Sequence, residues 1–195
     1  MGKIVISTSV SLDGVIQDPD GGEGFRRGGW VGQFGGEAAV KGEAAKVLLD
    51  EALGTQALLL GRRSDEYFAS RWLSRSGEWT DRLNSMPKYV VSSTLDEPRW
   101  GNGTVLDGDV VTEVSKLKQE LGGEIVVYAS SQLVQTLLEH DLVDELRLMI
   151  YPVALGAGER LFAGISDRKA MRLVHARAVG DSLALLTYEL VRDTA

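Results

Sequence analysis

The chain has no cysteine, only two histidines (His140 and His175), four prolines, and aromatic residues at 7% of its 195 positions. Without cysteine there is no disulfide, no thiolate metal ligand and no cysteine nucleophile. Two histidines argue against a multi-histidine metal site and against a Ser-His-Asp triad, so no metal is expected. His140 reads as a dipole-compatible residue near a helix C-terminus and His175 as a structural strand residue. Positive charge is also short: 21 Lys and Arg stand against 28 Asp and Glu, a net charge of -7. A general nucleic-acid binder normally carries a basic face, so none is expected here. A local basic spot remains compatible with a small phosphorylated ligand. No apolar stretch approaches the roughly 20 residues that span a bilayer. Met1-Gly2-Lys3 leads straight into a strand-like run without a charged-apolar-small pattern. A soluble cytoplasmic protein without membrane association is the expectation.

What is present is 44% hydrophobic and 25% charged residues, enough for one globular domain over 1–195 with a sizeable core. Lys3 to Ser9 is short and β-branched, a buried first strand. A glycine-rich stretch from Asp13 to near Gly36 is too long for a simple connector and is functional or disordered. From about Glu37 to Leu53 the pattern turns helical, with Gly54 as the stop. Ala57–Leu60 is an apolar strand, followed by a short helix around Asp65 to Ser70. The pair Asp65-Glu66 reads as a solvated helix start. Further strands are expected at Lys88–Ser92, Gly103–Leu106, Ile125–Tyr128 and Glu145–Tyr151. Asp109 caps a helix carrying Val110, Val114, Leu117 and Leu121, and another helix runs from about Gln132 to His140. Arg172–Ala178 and Leu183–Val191 alternate around Gly180-Asp181 as an antiparallel hairpin. Parallel α/β units ending in an antiparallel edge describe a mixed sheet with helices on both faces.

Several segments can carry chemistry. Gly61-Arg62-Arg63-Ser64 lies where a strand meets the next helix, so backbone N–H groups and two guanidinium forks can meet a phosphate. Such cations are what selects NADPH over NADH, because the extra 2′-phosphate calls for them; a glycine turn with two solvated arginines is the alternative. Ser92-Ser93-Thr94 offers three hydroxyls that bind ribose and phosphate oxygens or simply make Ser/Thr turns. At Tyr128-Ala129-Ser130-Ser131-Gln132-Leu133, small residues allow a diphosphate close to a helix N-terminus, or Ser130 or Ser131 only caps that helix. Gly156-Ala157-Gly158 comes too late, with too few glycines, for a dinucleotide fingerprint and reads as a hinge or pocket-edge loop. Asp13-Gly14 places a carboxylate beside the first strand's end, or is only a turn pair. Trp30 and Phe34 stack on a planar heterocycle or anchor a lid.

Taken in order, Ser11-Leu12-Asp13-Gly14, Leu59–Ser64, Val90-Val91-Ser92-Ser93 and the run from Tyr151 to Phe162 resemble the dihydrofolate reductase-like superfamily. Within it the chain is similar to the reductase domain of bacterial riboflavin biosynthesis (the RibD C-terminal domain) and its stand-alone relatives, from Lys3 to about Glu189. The resemblance implies a three-layer α/β/α fold around a mostly parallel mixed sheet of about eight strands with an antiparallel C-terminal hairpin. It implies NADPH as cofactor. Ser9 and Ile16 would flank the nicotinamide, and Gly61, Arg62, Arg63 and Ser64 would meet the 2′-phosphate. Ser92, Ser93 and Thr94 would lie along the adenosine, while Tyr128 to Leu133 would hold the diphosphate. Asp13, Trp30, Tyr151 and Pro152 would line the substrate side, with Asp13 as proton donor or water-positioner. Where the family often has Gly-Gly or Gly-Ser-Gly, Ala129-Ser130-Ser131 narrows the space for a diphosphate. No helix carboxylate is clearly placed for a pterin, with Glu43 and Glu51 as the candidates. The expected function is an NADPH-dependent reductase of a small heterocycle or ribosylaminopyrimidine, such as 5-amino-6-(5-phosphoribosylamino)uracil, with the 14–36 loop as lid. The alternatives are a non-catalytic nucleotide-binding protein and a dihydrofolate reductase. By the same resemblance the chain forms a homodimer.

Overall fold

The computed structural model describes residues 1–35 and 42–191. Its strands are β1 (Lys3–Ser11), β2 (Thr55–Gly61), β3 (Lys88–Val91), β4 (Gly103–Leu106), β5 (Glu124–Val127), β6 (Glu145–Tyr151), β7 (Met171–Val179) and β8 (Leu183–Leu190). Its helices are α1 (Trp30–Phe34), α2 (Glu43–Gly54), α3 (Arg62–Trp72), α4 (Glu78–Ser85), α5 (Val110–Glu120) and α6 (Ser131–Glu139). The strands form one sheet in the order β4-β3-β2-β5-β1-β6-β8-β7. Pairs β1–β5, β2–β5, β2–β3 and β3–β4 are parallel, whereas β6–β8 and β7–β8 are antiparallel. The mixed, mostly parallel sheet with an antiparallel C-terminal edge is the one the sequence pattern describes. Residues 37–41, the first turn expected for α2, lie outside the described residues.

The chain divides into two compact units, one of Met1–Ile6 with Leu49–Asp144 and one of Ser7–Leu48 with Glu145–Ala195. In the first unit, Ala57, Leu58, Leu59 and Leu60 are all fully buried. That follows from the position of β2, hydrogen-bonded on both sides in a parallel array, where alternation gives way to a continuous apolar run. Leu58, Leu60, Val5 and Val126 pack with Ala69, Leu83, Met86 and Trp100, and Phe68, Trp72 and Trp79 lean on that cluster. As expected, Asp109 caps α5: its carboxylate accepts from the Thr112 N–H at 2.9 Å and from the Thr112 hydroxyl at 2.8 Å. An N-cap of this kind contributes about 1 kcal/mol.

Asp65 departs from expectation. Its side chain is fully buried, not solvated, and accepts from the backbone N–H of Arg99 at 2.6 Å and of Trp100 at 3.0 Å. Those amides belong to an irregular segment with no ladder partner of its own, so a buried acceptor is needed there. Beside it, the buried Lys88 donates to the carbonyls of Asn84 (3.1 Å), Met86 (2.8 Å) and Gly101 (3.1 Å). Burial pushes the Lys88 ammonium down to about 8, and the Asp65 charge opposes that shift. The two charged side chains stitch the α4–β3 turn and the segment before β4 to the core.

In the second unit the core holds Val15, Trp30, Ala44, Met149, Tyr151, Leu155, Val179 and Leu183. The glycine-rich stretch has its own organiser, Asp18. This carboxylate is 2% exposed and accepts from the N–H groups of Gly22 (2.7 Å), Glu23 (3.0 Å) and Phe25 (3.0 Å). The backbone carbonyl of Asp18 takes the amides of Gly21 and Gly29. No helix among the described residues is long and apolar enough to cross a membrane.

Candidate functional site: two uncapped helix starts and a clamped loop

In the first unit, β2 and β5 are parallel neighbours, so the turns that leave them, into α3 and α6, emerge on the same side of the sheet. α3 begins at Arg62, immediately after the strand, without the short connector the sequence suggested. Neither α3 nor α6 has a side-chain cap on its first turn. Ser130 occupies the N-cap position of α6 but spends its hydroxyl elsewhere. The Ser130 hydroxyl donates to the Tyr128 carbonyl at 3.1 Å and accepts the Gly61 N–H at 3.0 Å. Its own N–H donates to the Ser64 hydroxyl at 3.0 Å. Gly61 and Ser64 are therefore bonded to the distant Tyr128–Ser130 turn as one cluster, and the alternative in which the Ser130 hydroxyl caps the helix is not what it does. The N–H groups that open both helices remain free of side-chain acceptors, the condition under which helix starts attract an anion.

The turn before α6 is bent as glycine would bend it. Ala129 has φ 50° and Ser130 φ 57°, the left-handed region that costs an L-residue roughly 1–2 kcal/mol. The Ser130 hydrogen bonds hold that geometry in place. Arg62 and Arg63 are both exposed. Arg62 pairs with Glu66 one turn along α3, at 3.2 Å, while no pairing of Arg63 occurs among the described residues. Ser131, Gln132 and Leu133 form the first turn of α6, and Leu133 is buried.

The Ser92-Ser93-Thr94 segment follows β3, the other neighbour of β2. Here the turn alternative describes the geometry: Ser92, 9% exposed, accepts the Thr94 N–H at 3.2 Å, while Ser93 and Thr94 face solvent. Among the described residues, no hydrogen bond joins Ser92, Ser93 or Thr94 to the Gly61–Ser130 cluster. Also in this unit, the Tyr128 hydroxyl donates to Glu51 at 2.7 Å.

In the second unit, Asp13 is the central group. Its two carboxylate oxygens accept from the Leu155 N–H at 2.9 Å and the Gly156 N–H at 2.7 Å, and the Ser11 hydroxyl donates to it at 2.7 Å. Arg160 donates to the Asp13 carbonyl at 3.0 Å and stands 3.7 Å from its carboxylate. The Leu155 amide above all, then the Ser11 hydroxyl, hold the carboxyl well below the usual range, at about 2, against a smaller opposing effect of desolvation. A group ionised this far below neutrality accepts hydrogen bonds and has no proton to give. Of the two roles expected of Asp13, proton donor or water-positioner, an ionised acceptor fits the second.

The same bonds explain the late glycine pair. Val15 bridges Arg160, Ile16 N–H donates to Glu159, and the Leu161 N–H donates to Gly14. A Cβ at Gly158, where φ is 121°, would lie 2.6 Å from Val15 Cγ1, so only glycine allows this approach. Arg27 donates to the Leu155 carbonyl from the glycine-rich stretch. Gly156-Ala157-Gly158 is accordingly a clamped loop and not a free hinge.

Trp30 is fully buried; its indole N–H donates to the Gln17 carbonyl at 3.0 Å, and its ring meets Tyr151 edge-on at 5.3 Å. Of its two expected roles, anchoring the glycine-rich stretch is the one this environment describes. Phe34 is exposed. The Tyr151 phenol is pushed up by burial, partly offset by its hydrogen bond with Ser9, so it stays neutral at physiological pH. Pro152 is exposed and Ile16 half-buried. Glu43, a candidate for a pterin-facing acid, instead pairs with Arg177 and accepts the Gly180 N–H at 3.0 Å. Glu51, the other candidate for that acid, accepts the Tyr128 hydroxyl, and Asp18 is a group sequence reasoning did not single out. Asp18 has a signal, an Asp followed by Gly21-Gly22 that invites an Asx turn, whereas the Glu51–Tyr128 contact spans 77 residues and has none.

The strand order, parallel core and antiparallel edge are those of a dihydrofolate reductase-like α/β protein. Residues 2–185 match the family model of the RibD C-terminal domain, and the chain belongs to that family. It is similar to the Bacillus subtilis (strain 168) protein named Uncharacterized protein YyaP, 25% identical with 95% of this chain and 94% of that one covered. It also resembles the crystal structure of a putative riboflavin biosynthesis protein from Shewanella sp. PV-4, with TM-score 0.76, 23% identity and 97% and 99% of the two chains covered. Dihydrofolate reductase from Enterococcus faecalis, complexed with NADP(H), shares the fold at TM-score 0.57 and 14% identity, with 97% of each chain covered.

Proposed function

We propose that this chain is an NADPH-dependent reductase acting on a small heterocycle of the ribosylaminopyrimidine type. The observation that carries the reading is the bonded Gly61–Ser64–Ser130 cluster. It presents two uncapped helix starts beside the exposed guanidinium of Arg63. Membership of a reductase family supports the same reading. The residues fit a dinucleotide phosphate. Free backbone N–H groups suit a diphosphate, and an unpaired arginine on a protein of net charge -7 suits a 2′-phosphate.

When bound, NADPH would supply the hydride; the protein's part is orientation, electrostatics and exclusion of water. Gly61 to Ser64 would hold the 2′-phosphate and Ser130 to Leu133 the diphosphate, with Ser92 to Thr94 along the adenosine. Ser9, Ile16, Asp13, Tyr151 and Pro152 would serve the nicotinamide and substrate side. Asp13 acts there as a positioning group that fixes Leu155 and Gly156. Because the carboxylate of Glu43 is tied to Arg177 and Gly180, a folate substrate is less well supported than a pyrimidine.

The test compares NADPH and NADH binding, by nicotinamide fluorescence, for the wild type and an Arg62→Ala/Arg63→Ala variant. The variant should lose at least about tenfold in NADPH affinity, about 1.4 kcal/mol, with little change for NADH. Equal loss for both cofactors would remove the 2′-phosphate role.

A further inference from the structure

Helix α3 opens with two cations where a helix favours an anion. The N-terminus of a helix carries partial positive charge, so Arg62 and Arg63, its first two residues, are repelled there unless an anion lies against them. No side chain caps this end. Ser64 and Asp65 are buried and engaged elsewhere. The Ser64 hydroxyl accepts the Ser130 N–H at 3.0 Å, and the Asp65 carboxylate accepts the amides of Arg99 and Trp100 at 2.6 and 3.0 Å. Within Arg62–Glu66, Glu66 is therefore the carboxylate that shares the exposed side with the arginines.

The two arginines are not equivalent. Arg62 donates to Glu66 at 3.2 Å, with the side chains 45% and 43% exposed. Arg63 is exposed and has no carboxylate partner among the described residues. Its neighbour one turn along is Tyr67, whose ring already carries the Arg71 guanidinium 4.3 Å from its centroid. In the Arg62–Glu66 pair the cation precedes the anion along the helix, the weaker of the two i,i+4 arrangements. The pair does little for the helix, and at this exposure it exchanges readily for another anion.

We infer, on the footing of the NADPH proposal, that Glu66 is a built-in competitor for the 2′-phosphate. Its carboxylate stands in for that phosphate on Arg62, while Arg63 is the guanidinium that receives the phosphate first. NADH brings no 2′-phosphate, so the Arg62–Glu66 pair stays closed and Arg63 stays unused. NADPH displaces Glu66 from Arg62 and then sits about one helix turn from its negative charge. Breaking an exposed pair costs a ligand about twofold in affinity. A unit charge about 6 Å from a doubly charged phosphate, in water at physiological salt, costs about threefold more. Glu66 thus weakens NADPH and leaves NADH nearly untouched, so it sets how strongly the site discriminates between them.

The test is titration of the full chain with NADPH and with NADH, followed by nicotinamide fluorescence. The proteins compared are the wild type, Glu66→Gln, Arg62→Ala, Arg63→Ala and the Glu66→Gln/Arg62→Ala double variant. Glu66→Gln should tighten NADPH at least about threefold and leave NADH within about twofold. Arg63→Ala should weaken NADPH at least about tenfold, and Arg62→Ala less than about threefold. In the Arg62→Ala background the gain from Glu66→Gln should shrink, because no pair is left to break. Glu120→Gln, at the exposed end of α5, removes the same unit of charge and should change nothing. All these positions are exposed, and circular dichroism establishes that each variant is folded. If Glu66→Gln binds NADPH no tighter than the wild type, or Glu120→Gln gives the same gain, the competitor role is overturned while the cofactor proposal stands. Equal losses from Arg62→Ala and Arg63→Ala overturn it as well. A wild type that binds neither cofactor at up to about 1 mM removes the cofactor proposal itself, and the competitor role with it.

Discussion

Replacing Asp13 by alanine removes the acceptor that holds two loop amides and a hydroxyl together. The bonds lost are those from Leu155 N–H (2.9 Å), Gly156 N–H (2.7 Å) and Ser11 hydroxyl (2.7 Å). Hydrogen bonds to a charged group contribute about 1.5–3 kcal/mol each when well shielded. The Asp13 side chain is 23% exposed, and water replaces part of what is lost, so the total expected is about 2–3 kcal/mol. For a chain of this size that lowers the melting temperature by about 4–12 °C, measured by calorimetry at neutral pH. Asp13→Asn should cost nearly as much, because its amide group turns a donor toward a backbone donor. The pH dependence has a definite sign. The folded carboxyl lies at about 2, below its ordinary value, so its stabilisation is complete above the ordinary value and disappears as pH falls through about 2. The gap between wild type and variant should therefore be constant at neutral pH and narrow below about pH 4. A variant that melts within about 1 °C of the wild type would refute the clamp.

Two further substitutions test the geometry of the first unit. Ala129→Gly relieves a left-handed alanine in an exposed turn and should stabilise the chain by about 0.5–1 kcal/mol, read as a melting temperature about 1–4 °C higher. A lower melting temperature would mean that the turn is not strained. Lys88→Met leaves the carbonyls of Asn84, Met86 and Gly101 without their buried donor. A loss of about 3 kcal/mol, or about 6–12 °C, is expected, and an unchanged melt would show the ammonium to be dispensable.

The sequence made the sheet legible because its strands are marked two ways. β2 is a continuous apolar run that only a doubly paired parallel strand buries, and the last two strands alternate around Gly180-Asp181. Helix α5 announced itself through Asp109. By contrast α4 was not foreseen: in Glu78–Ser85 only Trp79 and Leu83 are apolar, too few for a periodic signal. Asp65 was misjudged because its burial is decided by amides 34 and 35 residues away. At the candidate site, the residue types around Gly61–Ser64 and Tyr128–Leu133 were readable as phosphate-binding material. The bonds that join them were not, since whether a serine caps its own helix or bridges to a neighbouring turn depends on which strand lies beside it. For Asp13 the local Asp-Gly pair was visible, but the partners that fix its ionisation come from Leu155 and Gly156, far along the chain.

In the proposed function the Gly61–Ser64 and Ser130–Leu133 turns receive a phosphorylated dinucleotide and prefer NADPH. Isothermal titration of the wild-type chain with NADPH and with NADH measures this directly. NADPH should bind at least about tenfold tighter than NADH, a difference of about 1.4 kcal/mol. No heat with either cofactor at up to about 1 mM, or equal affinity for both, would contradict it.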